Sequence, residues 1–291
     1  MSPTWRGILV RLGVAPPRPK LPLSGYAPGE IAAPALEALS DTDLEELNAL
    51  LPWNCFVVDR RGRRFGQAAR AGKRDTPQPV PDPRIAALDR RFGLSGRSVL
   101  EIGCFEGVHT AALCAAGGLV TAVDARIVNV VKTIVRCAFL GHRPTVFVCD
   151  VDDPADAGRL PEADVVHHVG VLYHLVDPVA HLKRVAARTR GVLMLDTHVA
   201  RPGEATATLA SGGATYAVRR YGEFGRADVF SGVSSHSHWL LLDDLLGVLR
   251  ANGLPDVEVV EARDERNGLR VLLYALGPLS RASMRGSGDI R

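Results

Sequence analysis

Ser98-Val99-Leu100-Glu101-Ile102-Gly103-Cys104-Phe105-Glu106-Gly107 is the stretch on which the reading of this chain turns. An apolar segment ends in an acid, and a Gly-x-x-x-Gly turn then opens onto a helix-compatible run from Val108 to Ala116. Glycine at 103 lets the backbone approach a ligand with no Cβ in the way, and Gly107 permits a tight turn into the helix. A second apolar run, Leu119 to Val123, delivers Asp124 where a carboxylate can take both hydroxyls of a ribose. The spacing from the glycines to that acid is close to that of a nucleoside-binding βαβ unit. A pyrophosphate cradle wants Gly-x-Gly-x-x-Gly, and Phe105 stands where its middle glycine would be, so a dinucleotide is disfavoured.

Working outward, the pattern predicts strands at 98–102, 119–123, 145–149, 164–169 and 191–196, with helices at 107–116, 126–140 and 177–189. Residues 200–236 break the alternation, and a helix at 240–251 with strands at 256–261 and 270–276 completes it. Strands and helices alternating at this spacing imply parallel strands with helical crossovers, hence a doubly wound, mostly parallel α/β sheet. Upstream, Pro16, Pro17, Pro19, Pro22 and Pro28 mark an irregular arm. Ser40 or Asp41 caps a helix to about Leu51, and Pro52-Trp53 ends it. Phe56 to Asp59, the turn Arg61-Gly62-Arg63 and Phe65-Gly66 suggest a short hairpin. Pro77 to Pro83 is a connector, and proline starts a helix running to about Arg91. The expected organisation is an extension over 1–82, an α/β domain over 83–279 with an insertion at about 200–238, and a disordered tail over 280–291.

In doubly wound sheets the ligand lies outside the carboxyl ends of the strands, where the strand order switches. The ends read here are Glu101/Gly103, Asp124, Asp150, His168 to Val171, and Asp196. Asp124 is the ribose candidate, its alternative role being a cap for the helix at 126–140. A ribose-binding acid with a loose glycine turn and an acid before it resembles the S-adenosylmethionine (SAM) site of the class I methyltransferases. The segment Gly170-Val171-Leu172-Tyr173-His174, followed by a short turn and Pro178, strengthens the resemblance. It is similar to SAM-dependent methyltransferases related to the tRNA wobble-uridine carboxymethyltransferases. Pro52-Trp53, Gly103, Asp124 and a helix beginning near Trp239 fall in the expected order, over roughly residues 50 to 276.

The resemblance implies a seven-stranded Rossmann-like sheet and a SAM pocket built from Glu101, Gly103, Cys104, Phe105, Gly107, Asp124, Ala125, Asp150, Val151, Val169 and Tyr173. Glu101 would order the glycine turn or reach the SAM ammonium; Asp150 would accept from the adenine amino group, with Val151 on the ring. One departure matters. Carboxymethyl-transferring members carry a basic residue after Pro-Trp that helps hold the extra carboxylate of carboxy-SAM, whereas Asn54 and Cys55 follow Trp53 here. That carboxylate would lose a charge-assisted partner worth about 1.5–3 kcal/mol, which favours plain SAM and methyl transfer.

The insertion is expected to wall the acceptor pocket, as in related small-molecule and sugar methyltransferases. Its Tyr216, Tyr221, Glu223, His236, His238 and Trp239, with Trp53 of the extension, offer the aromatic faces and polar groups that suit a polyol or glycosylated acceptor. Trp53, Tyr221, Glu223, His236, His238 and Trp239 are the candidate substrate contacts. Methyl transfer from a sulfonium needs little beyond in-line approach, but a hydroxyl acceptor gains from a base within reach. His174, Asp196 and His198 sit at strand ends; the expected base is His198, with His174 lining the cofactor pocket beside Tyr173. No metal is expected, since Asp196, His198 and the lid histidines lack diagnostic spacing. His167 and His168 are adjacent on a strand, so one points away from the cleft.

The bulk properties set bounds. At 291 residues, 46% hydrophobic and 23% charged, the chain has ordinary globular composition and length for a full core. No run approaches eighteen apolar residues, and Gly7-Ile8-Leu9-Val10 is too short for a signal-peptide core, so a cytoplasmic location is expected. The five cysteines have no metal-type pairing and read as buried thiols. A formal charge of +3 is too small to imply nucleic acid. Arginine is dense at 60–64, and Arg70, Lys73 and Arg74 follow, a cluster that meets an anionic substrate or forms a solvated loop. The expected function is SAM-dependent methyl transfer to a hydroxyl of a small or glycosylated molecule. The alternatives are a tRNA wobble-base (carboxy)methyltransferase and a SAM-binding protein without turnover.

Overall fold

The computed structural model describes residues 18–280. Seven strands form the central sheet: β3 (Ser98–Ile102), β4 (Leu119–Asp124), β5 (Thr145–Val148), β6 (Ala163–Val169), β7 (Thr189–His198), β11 (Asp256–Glu265) and β12 (Gly268–Leu276). Their order is β11-β12-β7-β6-β3-β4-β5. Within it β12 runs antiparallel to both neighbours, and the five strands from β7 to β5 are mutually parallel. The chain builds outward from β3 through β4 to β5, then returns to lay β6 on the other side of β3. That reversal opens a crevice at the carboxyl ends of β3 and β6.

The inner strands are buried on both faces, so they read as near-continuous β-branched and apolar runs rather than as alternating ones. Side chains still alternate in direction. Leu100, Ile102, Val166, Leu193 and Leu195 enter one apolar layer, while Val99, Val165, Val192 and Met194 enter the layer on the opposite face. The crossover helices α3 (Val108–Ala115), α4 (Ile127–Phe139) and α5 (Pro178–Arg188) cover these layers, as do α2 (Pro83–Phe92) and α6 (Leu242–Ala251), while α1 (Asp41–Leu50) lies in the upstream region. Helix α5 starts where the sequence says it should: Asp177 accepts from the Ala180 N–H at 2.9 Å and Pro178 holds the first turn.

The doubly wound sheet thus agrees with the expectation from sequence, with most boundaries within one or two residues. The main difference is the stretch 200–236. It holds a hairpin, β8 (Ala207–Ser211) and β9 (Ala214–Gly222), which β10 (His236–Leu240) joins as a three-stranded antiparallel sheet of order β10-β9-β8. Trp239 is therefore a strand residue, and α6 begins only at Leu242.

Upstream, β1 (Phe56–Val58) pairs antiparallel with β2 (Arg64–Gly66), and Ser40 caps α1 by accepting from the Asp43 N–H. Leu44, Trp53, Cys55 and Phe65 share a core with Val108, Ala111 and Cys137, so this region packs on α3 and α4. The expected disordered tail begins at Ser280; residues 281–291, and Pro16 and Pro17 of the arm, lie outside the described residues. No helix among the described residues is long and apolar enough to cross a membrane.

Candidate active site

A cavity of about 340 Å³ lies at the carboxyl ends of β3 to β6. Its floor is the glycine turn. The Gly103 and Cys104 N–H groups both donate to the Val123 carbonyl at 2.9 Å, which ties the turn to β4. Gly103 has φ +79°, and a Cβ there would stand 2.2 Å from Val171 Cγ2, so only glycine lets the turn lie against the Gly170–His174 segment. Gly107 (φ +77°) starts α3 and does not itself line the cavity; a Cβ there would meet the Thr133 backbone of α4 at 2.9 Å.

Asp124 reaches the cavity from the end of β4. Oδ2 accepts from the Phe105 N–H at 3.1 Å, and Oδ1 accepts from the Arg126 N–H at 2.9 Å and Asn129 Nδ2 at 3.1 Å. Burial raises its pKa although these three donors oppose the rise. The carboxylate ties the start of α4, the alternative role weighed from sequence, and also faces the cavity. Ala125, Asp150, Val151, Val169 and Tyr173 also line it, as do Cys104 and Phe105.

Glu101 is elsewhere. It accepts from Thr110 Oγ1 at 2.6 Å, buried on the α3 side of the sheet, and does not order the glycine turn. Burial lifts its carboxyl to about 7, with the Thr110 bond opposing. Glu101, His109 and His167 bring three donor atoms within 4.8 Å of one another. The sequence reading did not single out this trio as possible ligands.

The expected catalytic group separates in space. His174 lines the cavity, and its Nδ1 lies 2.8 Å from Glu223 Oε1. Glu223 also accepts from Ser237 Oγ at 2.8 Å, from the Gly232 N–H at 2.8 Å and from Ser231 Oγ. Burial works to raise the Glu223 carboxyl, but His174, Ser231 and Gly232 outweigh it and hold it below its ordinary value. His198, the base expected from sequence, is instead enclosed. Its ring stacks on Trp239 (4.9 Å, 13°), meets Tyr173 edge-on, and its Nδ1 lies 3.3 Å from the Leu269 carbonyl. Burial and the Arg270 charge lower its pKa. Asp196 is no base either. Its fully buried carboxylate is held by Arg84 at 2.8 Å, by Arg263 at 3.1 Å and by Arg270, and these charges overcome burial to keep its pKa low.

The substrate contacts expected from sequence are mostly framework. Tyr221 also stacks on Trp239 at 4.8 Å, Trp239 donates Nε1–H to the Tyr173 carbonyl, and neither ring lines the cavity. His238 is held on the Val176 carbonyl at 2.7 Å with His236 edge-on to it. Trp53 is buried in the upstream core, against Phe65 and under the Arg136 guanidinium at 4.6 Å. Asn54 and Cys55, at the positions after Pro-Trp, direct their N–H groups at the buried Glu106 carboxylate. The cations here are Lys132 and Arg136 of α4, which pair with Glu106 at 2.6 and 3.7 Å.

Several cavity residues escaped the sequence reading. Arg270 lines it from the start of β12, which being antiparallel presents its first residues at the edge where the parallel strands end. Asp82, Arg84 and His109 form a polar corner, with His109 Nε2 3.3 Å from Asp82. Above them lies the 225–233 segment. Arg126 closes it by donating to the carbonyls of Gly225, Asp228 and Ser231 at 3.0, 3.1 and 2.9 Å.

A doubly wound sheet with a glycine turn, a strand-end acid and a lidded crevice at the switch point is the architecture of the nucleotide-binding α/β folds. The chain belongs to the methyltransferase family whose sequence model, described as "Methyltransferase domain", matches residues 73–259. It is similar to the tRNA U34 carboxymethyltransferases of Alcanivorax borkumensis (33% identical over 118 residues) and Methylococcus capsulatus (34% over 125). These matches cover 39% and 41% of this chain and 36% and 37% of those proteins, so the chain spans little more than a third of the relatives' length. Among solved structures it resembles the N-terminal domain of EvdMO1. With SAH bound, that domain gives TM-score 0.66 at 23% identity over 82% of this chain and 98% of that one. In the presence of SAH and D-fucose it gives 0.65 at 23%, over 81% and 96%. The cofactor of this family is S-adenosylmethionine.

The cavity fits that cofactor on its own residues. Asp124 presents a buried carboxylate that a ribose diol could meet, and Val151 and Phe105 present apolar surface that a purine could meet.

Proposed function

We propose that this methyltransferase acts on a hydroxyl of a small or glycosylated acceptor, with His174 as the base. The observation that carries the reading is the Glu223–His174 pair on the cavity wall. An ionised carboxylate only accepts, so the proton of the imidazole is assigned to Nδ1, which leaves Nε2 as the free acceptor. Among the described residues nothing hydrogen-bonds that Nε2. The bound cofactor would supply a methyl group on a sulfonium, held by Asp124, Asp150 and the glycine turn. Nε2 would take the proton of the acceptor hydroxyl, and Glu223 would stabilise the imidazolium formed. Tyr173 would fix the position of His174, its ring 4.2 Å away.

Loss of a general base costs about a hundred- to ten-thousand-fold in rate. His174→Ala should therefore lower kcat on a glycoside acceptor by that factor while SAH affinity, read by calorimetry, changes less than threefold. His198→Ala should cost far less in kcat. Near wild-type turnover by His174→Ala would remove it from the mechanism. A second reading, transfer to a tRNA base, is favoured by the names of the partial relatives. It requires retention of tRNA at near-physiological salt, which the formal charge of +3 does not favour.

A further inference from the structure

Three cations converge on one ring at the mouth of the cavity. Lys73 Nζ stands 4.5 Å from the Phe230 ring centroid, with the Arg70 and Arg74 guanidinium carbons at 5.7 and 5.9 Å. Arg74 also lies 4.7 Å over Phe105. Lys73, Arg74, Phe105 and Phe230 all line the cavity. Among the described residues none of the three cations has a side-chain hydrogen bond or an ion pair. The nearby acids are engaged by backbone: Asp75 accepts from the Gly72 N–H at 2.6 Å, and Asp228 from the Phe230 N–H at 2.9 Å.

Like charges held together at a half-buried site repel, and ring faces offset this only in part. Burial first, then Arg74 and Arg70, lower the Lys73 pKa, with Asp228 opposing. An anion would relieve that repulsion. A carboxylate brings one charge, whereas a phosphate ester brings about −1.5 to −2 and three acceptor oxygens. Two guanidinium forks match those oxygens, with a lysine as a point charge beside them. The cations ring a single side chain on the cavity wall rather than spreading along an outer face, which suits one phosphoryl or diphosphoryl group and not a polynucleotide track.

We propose that the acceptor enters as a phosphate or diphosphate ester, such as a nucleoside diphosphate sugar, whose phosphates are held by Arg70, Lys73 and Arg74. The inference rests on the small-acceptor reading and narrows it.

The test is calorimetric titration of the SAH-saturated protein with inorganic pyrophosphate and with UDP-glucose as probes, on wild type, Lys73→Ala/Arg74→Ala and Arg70→Ala. Both probes should bind wild type, with affinity falling as salt rises. The double variant should lose about ten- to a hundredfold in probe affinity while SAH affinity changes less than threefold. Arg70→Ala, further from the cavity, should lose less, and equal melting curves exclude misfolding. The proposal is overturned if neither probe binds, or if the double variant loses SAH affinity as strongly, which assigns the cluster to the cofactor. It is overturned too if an unmodified tRNA binds more tightly than either probe through the same residues. Methylation of a free glycoside at least as efficient as that of its phosphate ester would sink this inference and leave the small-acceptor function standing.

Discussion

Glu101 shows how a residue legible as important can be misassigned. An acid ending the strand before a glycine turn is a strong signal, but its direction depends on the pleat, and the pleat turns it away from the cavity toward Thr110. Its carboxyl at about 7 has a consequence for stability. In the unfolded chain a glutamate titrates near 4.3. Between about pH 4.5 and 7 the unfolded chain has released this proton and the folded protein retains it. Stability therefore falls as pH rises through that window and levels off above it, by about 4 kcal/mol in all. Glu101→Gln, neutral at every pH, should match wild type in urea denaturation at pH 4 and exceed it at pH 8; parallel profiles of the two proteins would reject this. Asp124, by contrast, was read correctly as far as its place on the cavity goes. Asp124→Ala should weaken SAH binding by about 1.5–3 kcal/mol, the worth of hydrogen bonds to a charged acceptor. Unchanged affinity in a folded variant would take the carboxylate out of the cofactor site.

At the scale of elements, the central strands were readable because burial on both faces writes long apolar runs into the sequence. The insertion was not, since β8 and β9 expose one face and alternate with polar residues. A signal was there: Gly212-Gly213, both at positive φ, make the tight turn of a two-residue hairpin. The lid above the cavity is set by one side chain. Arg126 follows Asp124 by two residues, so the strand end that puts a carboxylate on the cavity also directs a guanidinium at four carbonyls of the 225–232 segment. No sequence rule announces such a bond, because its partners are backbone. Arg126→Ala would remove the donor from the buried Ser231 carbonyl, at a cost of about 1–3 kcal/mol, while Gly225 and Asp228 keep backbone donors. Amide exchange in 225–232 should accelerate at least tenfold while β3, β6 and β7 keep their protection. Unaltered exchange in the lid would show that it is held by other contacts.

Across the whole molecule, the upstream region and the α/β sheet are joined through buried charge. Glu106, in the glycine turn, takes the N–H groups of Asn54 and Cys55 and pairs with Lys132. Arg136 donates to the carbonyls of Cys55, Phe65 and Glu106. Burial raises the Glu106 carboxyl, but Lys132 and Arg136 more than reverse this and hold it low. Trp53 caps the arrangement, fully buried against Phe65 and Arg136. An aromatic after proline reads from sequence as a surface for an acceptor, and only the docking of the upstream region onto α3 and α4 turns it into core. The two roles predict different outcomes. Truncation of a buried tryptophan costs about 3–5 kcal/mol, so Trp53→Ala should lower the denaturation midpoint strongly. At a temperature where the variant is still folded, its acceptor KM should stay within about threefold of wild type, since no substrate contact has been removed. A variant with wild-type stability and a tenfold higher acceptor KM would return Trp53 to the substrate site and require the upstream region to move when the acceptor binds.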